Sequence, residues 1–150
     1  MQVLVLALAL AAPVDAAPSL ARAGDAACSV SVAAIDATGH QIPTRRVFAS
    51  RTPAMVFNGR VSPRRPAASP LVLDVFNPKG QRYQVLVPAP RGGAFALEGS
   101  RRPAGAVEAR LAVAGSSIAW TSMYGRWRVQ PRFEGLDDPC GPSQAFTILP

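Results

Sequence analysis

The sequence has few of the side chains that most often carry chemistry. It contains one histidine, one lysine and two cysteines among 150 residues. These numbers exclude a multi-histidine metal site and a zinc ribbon. Catalytic motifs of the metalloprotease, disulfide-exchange, nucleophile-elbow and phosphate-binding types are also missing. We therefore expect a protein that is not an enzyme and that uses no cofactor or metal.

Long helical patterns are missing as well, which excludes a coiled coil. Fifteen prolines and twelve glycines separate short apolar runs, and the length suits one domain rather than a multidomain enzyme. We predict an all-β fold: a single immunoglobulin-like β-sandwich of about seven to nine short antiparallel strands, with a small closed barrel as the alternative. The predicted strands are 29–35, 46–50, 54–61, 71–76, 83–87, 94–97, 107–113, 125–133 and 144–148.

Two local patterns sharpen this prediction. Asn77-Pro78-Lys79-Gly80 has the composition of a type I turn and joins two strands as a hairpin. In the strand 125–133, apolar and polar residues alternate with a period of two, which predicts one buried and one solvated face. Pro131 cannot donate a backbone hydrogen bond, so we expect that end of the strand at a sheet edge or a bulge.

The longest apolar run lies at the N-terminus. Residues 3–12 are ten consecutive apolar residues, too few to span a membrane, which takes about 20, and typical of a signal peptide. The sequence Ala-Arg-Ala at 21–23 predicts a cleaved signal peptide at 1–23 and a domain at 24–150, with 14–16 as an alternative cleavage site. No basic residue precedes the run, and a buried first element is the other interpretation. Export predicts a periplasmic or secreted bacterial protein with no transmembrane segment in the mature form.

Export also bears on the redox state of the two cysteines. In an oxidising compartment, two cysteines in one small domain usually pair, so we predict a disulfide between Cys28 and Cys140. In the chain-entropy model, closing so long a loop contributes about 4.7 kcal/mol. The alternatives are a reactive thiol, which needs an electropositive site and a partner base, and lipidation of Cys28.

Two segments carry a family resemblance. The first is LDVFNPKGQRY, with the turn 77–80 at its tip, and the second is YGRWRVQ, at 124–130, which leads to the final AFTIL. Over about residues 70–150 they resemble the middle and last strands of bacterial immunoglobulin-like or fibronectin-III-like domains, including macroglobulin-type β-sandwiches. The resemblance implies a fold with binding, adhesion or structural roles and carries over no functional residue. The cysteines depart from the antibody pattern because they bracket the whole domain.

The charge surplus is almost entirely arginine. Fifteen of the 16 basic residues are arginines, against 9 acidic residues, for a net charge of +7. Arg126, Arg128 and Arg132 share the solvated face of one strand, where neighbouring positions are about 6.6 Å apart. Guanidinium groups present a planar fork of donors that suits carboxylates and phosphates. We therefore predict a site for an anionic ligand there, with Trp120 and Tyr124 as added stacking surface.

Other residues bear on this prediction. Three loop pairs extend the positive field: Arg45-Arg46, Arg64-Arg65 and Arg101-Arg102. A codon bias that supplies arginine at exposed strand positions is the alternative explanation for the arginines. Trp127 is assigned to the core, and for Trp120 a core position is favoured over a ligand platform.

The remaining candidates have simple interpretations. His40 lies in a predicted turn and is interpreted as solvated rather than as a catalytic base. Lys79 lies in an exposed turn, whereas an activated lysine must be desolvated. Glu134, Asp137 and Asp138 share a loop, but a calcium site takes more oxygen ligands at alternating spacing.

Three functional hypotheses follow. The first is an exported, non-catalytic binding or structural domain that engages another envelope or extracellular macromolecule, such as an anionic polysaccharide or an acidic protein. Nucleic acid is not expected because export places the protein in the wrong compartment. The second is a pilin-like subunit of a surface assembly that takes up a neighbour's strand. The third is a small enzyme or enzyme inhibitor that works from its loops.

Overall fold

A computed structural model describes residues 26–62, 69–90 and 106–150. Short apolar segments between turns form ten strands and one helical turn in these parts of the chain. They are β1 (Cys28–Ile35), β2 (Gln41–Ile42), β3 (Arg46–Phe48), β4 (Ala54–Val61), β5 (Leu71–Phe76), β6 (Arg82–Leu86), β7 (Ala89–Pro90), β8 (Ala106–Ala112), α1 (Ser117–Trp120), β9 (Gly125–Phe133) and β10 (Gln144–Leu149).

The strands form two five-stranded sheets that face each other. The first sheet has the order β2-β1-β4-β8-β7 and the second β3-β10-β9-β5-β6. The predicted all-β sandwich is confirmed, and the barrel alternative is wrong because the strands form two separate sheets. The structure has ten described strands, more than the seven to nine predicted, because β2 and β7 are only two residues long and too short to show a hydrophobic period. One pair, β3 with β10, is parallel, where only antiparallel strands were predicted.

Some sequence predictions cannot be compared with the described residues. The predicted signal peptide at 1–23, the predicted strand at 94–97 and the arginine pairs Arg64-Arg65 and Arg101-Arg102 lie outside them. Ala89 and Pro90, which belong to none of the predicted strands, form β7 against β8.

The core lies between the two sheets and is centred on aromatic side chains. Trp127 is fully buried, as predicted. Its ring lies 5.2 Å from that of Tyr83, edge to face, and 6.2 Å from that of Phe146. Phe146 contacts Phe57 of the opposite sheet at 5.5 Å, so aromatic contacts join the two layers.

The predicted disulfide between Cys28 and Cys140 is present. It links the first residue of β1 to the segment before β10, and the Cys28 backbone N–H also donates to the Cys140 carbonyl at 3.1 Å. Gly141 follows directly. A Cβ atom there would lie 2.1 Å from the Cys28 carbonyl oxygen, so the bridge requires a residue without a side chain at this position.

Pro131 was predicted at a sheet edge or a bulge, and the structure places it in a central strand, but beyond the end of the neighbouring strand β10. It lies in β9, which is a central strand between β10 and β5. The pairing with β10 ends at Val129, and beyond that point the Pro131 carbonyl accepts a hydrogen bond from Cys140 at 3.0 Å. The missing N–H therefore falls where the neighbouring strand has already ended.

Two loops meet at the end of the sandwich where β9 begins. The predicted turn at 77–80 is confirmed: Asn77 Oδ1 accepts the backbone N–H groups of Lys79 and Gln81, each at 3.0 Å. Residues 114–124 contain α1, whose first turn is capped by the Ser116 hydroxyl. A cleft of about 290 Å³ separates this segment from the 77–81 turn.

Candidate functional site

The predicted period of two in β9 is present in the structure. Trp127, Val129 and Pro131 are buried in the core, and the residues between them point away from it. We call the surface of the second sheet that faces away from the core the outer face. On β9 it carries Arg126, Arg128, Gln130 and Arg132.

Strand register places a further arginine beside Arg126. Thr147 of β10 pairs with Arg126 on one side and with Arg46 of β3 on the other. Arg46 and Arg126 are therefore two strand spacings apart, about 9.6 Å at the backbone, with the short Thr147 side chain between them. Both arginines are exposed.

A second transverse row lies next to the first. Phe76 of β5 pairs with Arg128 on one side and with Arg82 of β6 on the other. The Arg128 guanidinium carbon lies 4.4 Å from the centre of the Phe76 ring, a cation–π contact that holds the guanidinium flat on the sheet. Its N–H groups remain at the surface, where an anion can reach them.

Arg132 differs from the other arginines of this face. Its Nε donates to Asp74 Oδ2 at 2.6 Å and its Nη2 to Asp74 Oδ1 at 3.4 Å. Nη1 also donates to the Leu136 carbonyl at 3.3 Å. The hydrogen bond to Asp74, with smaller contributions from Asp137 and Glu134, raises the pKa of Arg132. Arg132 therefore stabilises the fold and presents no free fork of donors.

Acidic groups are unevenly placed on the outer face. Among the described residues, no carboxylate lies within ion-pair distance of Arg46, Arg126 or Arg128, and Arg82 has only a 4.0 Å approach to Asp74. The predicted row of three arginines thus becomes a cluster of four around Phe76 and Thr147. We call Arg46, Arg82, Arg126 and Arg128 the arginine cluster.

The two predicted aromatic residues have different environments. Trp120 is 81% exposed, so the preference for a core position is wrong. It is the last residue of α1, and its Nε1 donates to the Gly115 carbonyl at 3.2 Å. Tyr124 is half-buried against the core, and its hydroxyl donates to the Ala119 carbonyl at 3.3 Å. Of these two residues, Trp120 presents the more exposed aromatic surface.

The other polar candidates are His40, between β1 and β2, and Lys79, in the turn that joins Phe76 to Arg82. His40 is exposed, and its Nδ1 lies 2.8 Å from the Thr38 hydroxyl. Asp36 Oδ1 accepts hydrogen bonds from that hydroxyl and from the backbone N–H groups of Thr38 and His40. These contacts lower the pKa of Asp36. Lys79 is exposed in its turn. The described residues contain no group of three or more side chains arranged to hold a metal ion.

Neither Arg82 nor Phe76 was predicted to belong to the site, and Arg46 was counted only among the neighbouring arginine pairs, although it begins the predicted strand 46–50. Phe76 and Arg82 flank the predicted turn, so hairpin pairing was the available signal for bringing them together. No local signal could place Arg46 beside Arg126, because β3 and β9 are joined only through β10.

Comparisons with protein-family models, with curated protein sequences and with solved structures give no match. Within the described segments, none of the helices has the length and apolar character needed to cross a membrane.

Proposed function

We propose that this chain is an exported, non-catalytic binding domain that engages an anionic polysaccharide through the arginine cluster. The observation that carries the proposal is the set of three exposed arginines, Arg46, Arg126 and Arg128, without a carboxylate partner among the described residues. Exposed cations beside an aromatic ring, with no local counter-charge, lower their free energy by binding an anion.

The form of the surface favours an extended polymer. The arginines project from a sheet face, and their rows repeat at about 6.6 Å along β9 and about 9.6 Å across the strands. A polymer with regularly spaced carboxylate or sulfate groups contacts several such positions at once. Several weak contacts on one chain combine into a much stronger one.

Strand order and the disulfide support the rest of the proposal. The orders β1-β4-β8-β7 and β10-β9-β5-β6 correspond to strands A-B-E-D and G-F-C-C′ of the immunoglobulin arrangement. This correspondence supports the proposed kinship with immunoglobulin-like domains. The Cys28–Cys140 bridge is compatible with an oxidising compartment outside the cytoplasm.

The test is retention on an immobilised sulfated polysaccharide and on an immobilised polyuronate, each eluted with a salt gradient. We expect Arg126→Ala/Arg128→Ala to elute at clearly lower salt than the wild type. The matched control is Arg60→Ala/Arg110→Ala, which removes two positive charges from the outside of the first sheet, where Arg110 already pairs with Glu108 at 2.8 Å.

Two results would contradict the proposal. Equal shifts in the two double variants would mean that only net charge matters. Retention on an acidic protein with no retention on either polysaccharide would assign the cluster to a protein partner.

A further inference from the structure

The outer face is positive at one end of β9 and acidic at the other. Arg126 and Arg128 lie in its first half, and the segment after the strand carries three exposed carboxylates: Glu134, Asp137 and Asp138. We call residues 134–138 the acidic loop. Arg128 and Arg132 are four residues apart, about 13 Å along the strand, so the two charged regions are well separated.

Several contacts hold the acidic loop beside this face. Arg132 reaches from the outer face to the Leu136 carbonyl at 3.3 Å. Pro139 forms a bridge with Arg132, and Cys140 donates to the Pro131 carbonyl at 3.0 Å. The loop therefore runs alongside the end of β9 where β10 has stopped.

The centre of the face carries no free charge. Asp74 pairs with Gln130 in the β5–β9 register and binds Arg132 through both carboxylate oxygens. The order along the outer face is thus a positive end, an internally neutralised centre and an acidic end.

Such a surface complements itself after a rotation of 180° about an axis that lies in the plane of the face, crosses β9 at a right angle and passes through the centre of the face. Face-to-face pairing about that axis sets the arginine cluster of each copy over the acidic loop of the other, and both contacts form together. We propose that a second copy of this chain docks on the outer face in this way. The inference rests on the proposed function, because it uses the same arginines.

One consequence is competition between the second copy and the polysaccharide. The arginines cannot face an acidic loop and a polymer at once, so polymer binding shifts the population toward monomers. The pairing weakens as salt rises, because the loop and cluster meet at the solvated surface.

The test exchanges charges on exposed residues and follows mass by sedimentation velocity at low salt. Variant one is Arg126→Glu/Arg128→Glu, in which the two new carboxylates cancel the charge of the remaining Arg46 and Arg82, so that the outer face has no positive end. Variant two is Asp137→Arg/Asp138→Arg, whose outer face becomes basic at both ends. We expect a wild-type dimer that dissociates with salt, two monomeric variants, and a heterodimer when the variants are mixed in equal amounts. Thermal unfolding checks that each variant is folded.

The outcomes separate the two proposals. A wild type that stays monomeric at low salt, a dimer that neither variant disrupts, or a mixture of folded variants that stays monomeric would overturn the pairing. Open-ended oligomers would overturn its two-fold symmetry. Variant two retains the arginine cluster, so we expect it to bind polysaccharide as a monomer. A salt-sensitive wild-type dimer that fails to bind polysaccharide would instead contradict the proposed function alone.

Discussion

Arg132 Nε donates to Asp74 Oδ2 at 2.6 Å between two adjacent strands, although the residues are 58 positions apart. Removal of the carboxylate leaves a guanidinium with only 17% of its side chain exposed and without its hydrogen-bonded counter-charge. We expect Asp74→Ala to lower the free energy of unfolding by about 3 kcal/mol, the low end for a broken buried pair. Urea unfolding measures this change.

Two variants control this prediction. Arg128→Ala removes an exposed arginine and is expected to cost less than about 1 kcal/mol. Asp74→Leu/Arg132→Met replaces the ion pair with apolar packing and is expected to lie close to the wild type. A double variant as unstable as Asp74→Ala would mean that the ion pair itself is indispensable.

The disulfide between Cys28 and Cys140 closes most of the chain, at a sequence separation of 112. We expect Cys28→Ala/Cys140→Ala to lower the free energy of unfolding by about 2–5 kcal/mol, chiefly because the unfolded chain regains conformational entropy. Urea unfolding of this variant and of the reduced wild type should give similar midpoints. An unchanged midpoint for both would contradict the prediction.

The two tryptophans lie in opposite environments, and the fluorescence of each can be measured in a variant that lacks the other. Trp120 is 81% exposed and Trp127 fully buried. In Trp127→Phe the remaining fluorescence should be strongly quenched by acrylamide, and in Trp120→Phe it should be protected. Trp120→Ala is expected to change stability by less than about 0.5 kcal/mol, and Trp127→Ala to cost about 3–5 kcal/mol. Equal quenching of the two would disagree with this placement.

Asp36 gives a pH dependence whose sign is fixed. The Thr38 hydroxyl, and then the His40 backbone N–H, lower the pKa of Asp36 in the folded state, so folding favours the charged carboxylate. Its contribution is complete above the ordinary aspartate pKa and is lost as pH falls through the lowered value. We expect Asp36→Asn to be less stable than the wild type at neutral pH. This difference should shrink below about pH 4, as followed by thermal unfolding against pH, and a constant difference would refute the assignment.

Local alternation predicted more of the fold than of the site. The strand Gly125–Phe133 was predicted with the same bounds that the structure has, because successive residues along it face the core and the solvent in turn. Ile118-Ala119-Trp120 is too short to show a period, so the helical turn and the exposure of Trp120 were missed. The arginine cluster depends on strand register between distant segments, and no local pattern contains that register. The pairing of Arg132 with Asp74 was missed for the same reason.

The Cys28–Cys140 bridge also determines how the domain responds to mechanical force. When the chain is pulled at both ends, tension passes from the segment before Cys28 through the sulfur–sulfur bond to the segment after Cys140. That last segment contains β10, which bears the load, whereas β1 to β9 lie inside the loop that the disulfide closes. Stretching therefore pulls β10 away from β3 and β9, and Phe146 and Ile148 leave the core with it, but the chain from Cys28 to Cys140 is not extended until the disulfide is reduced.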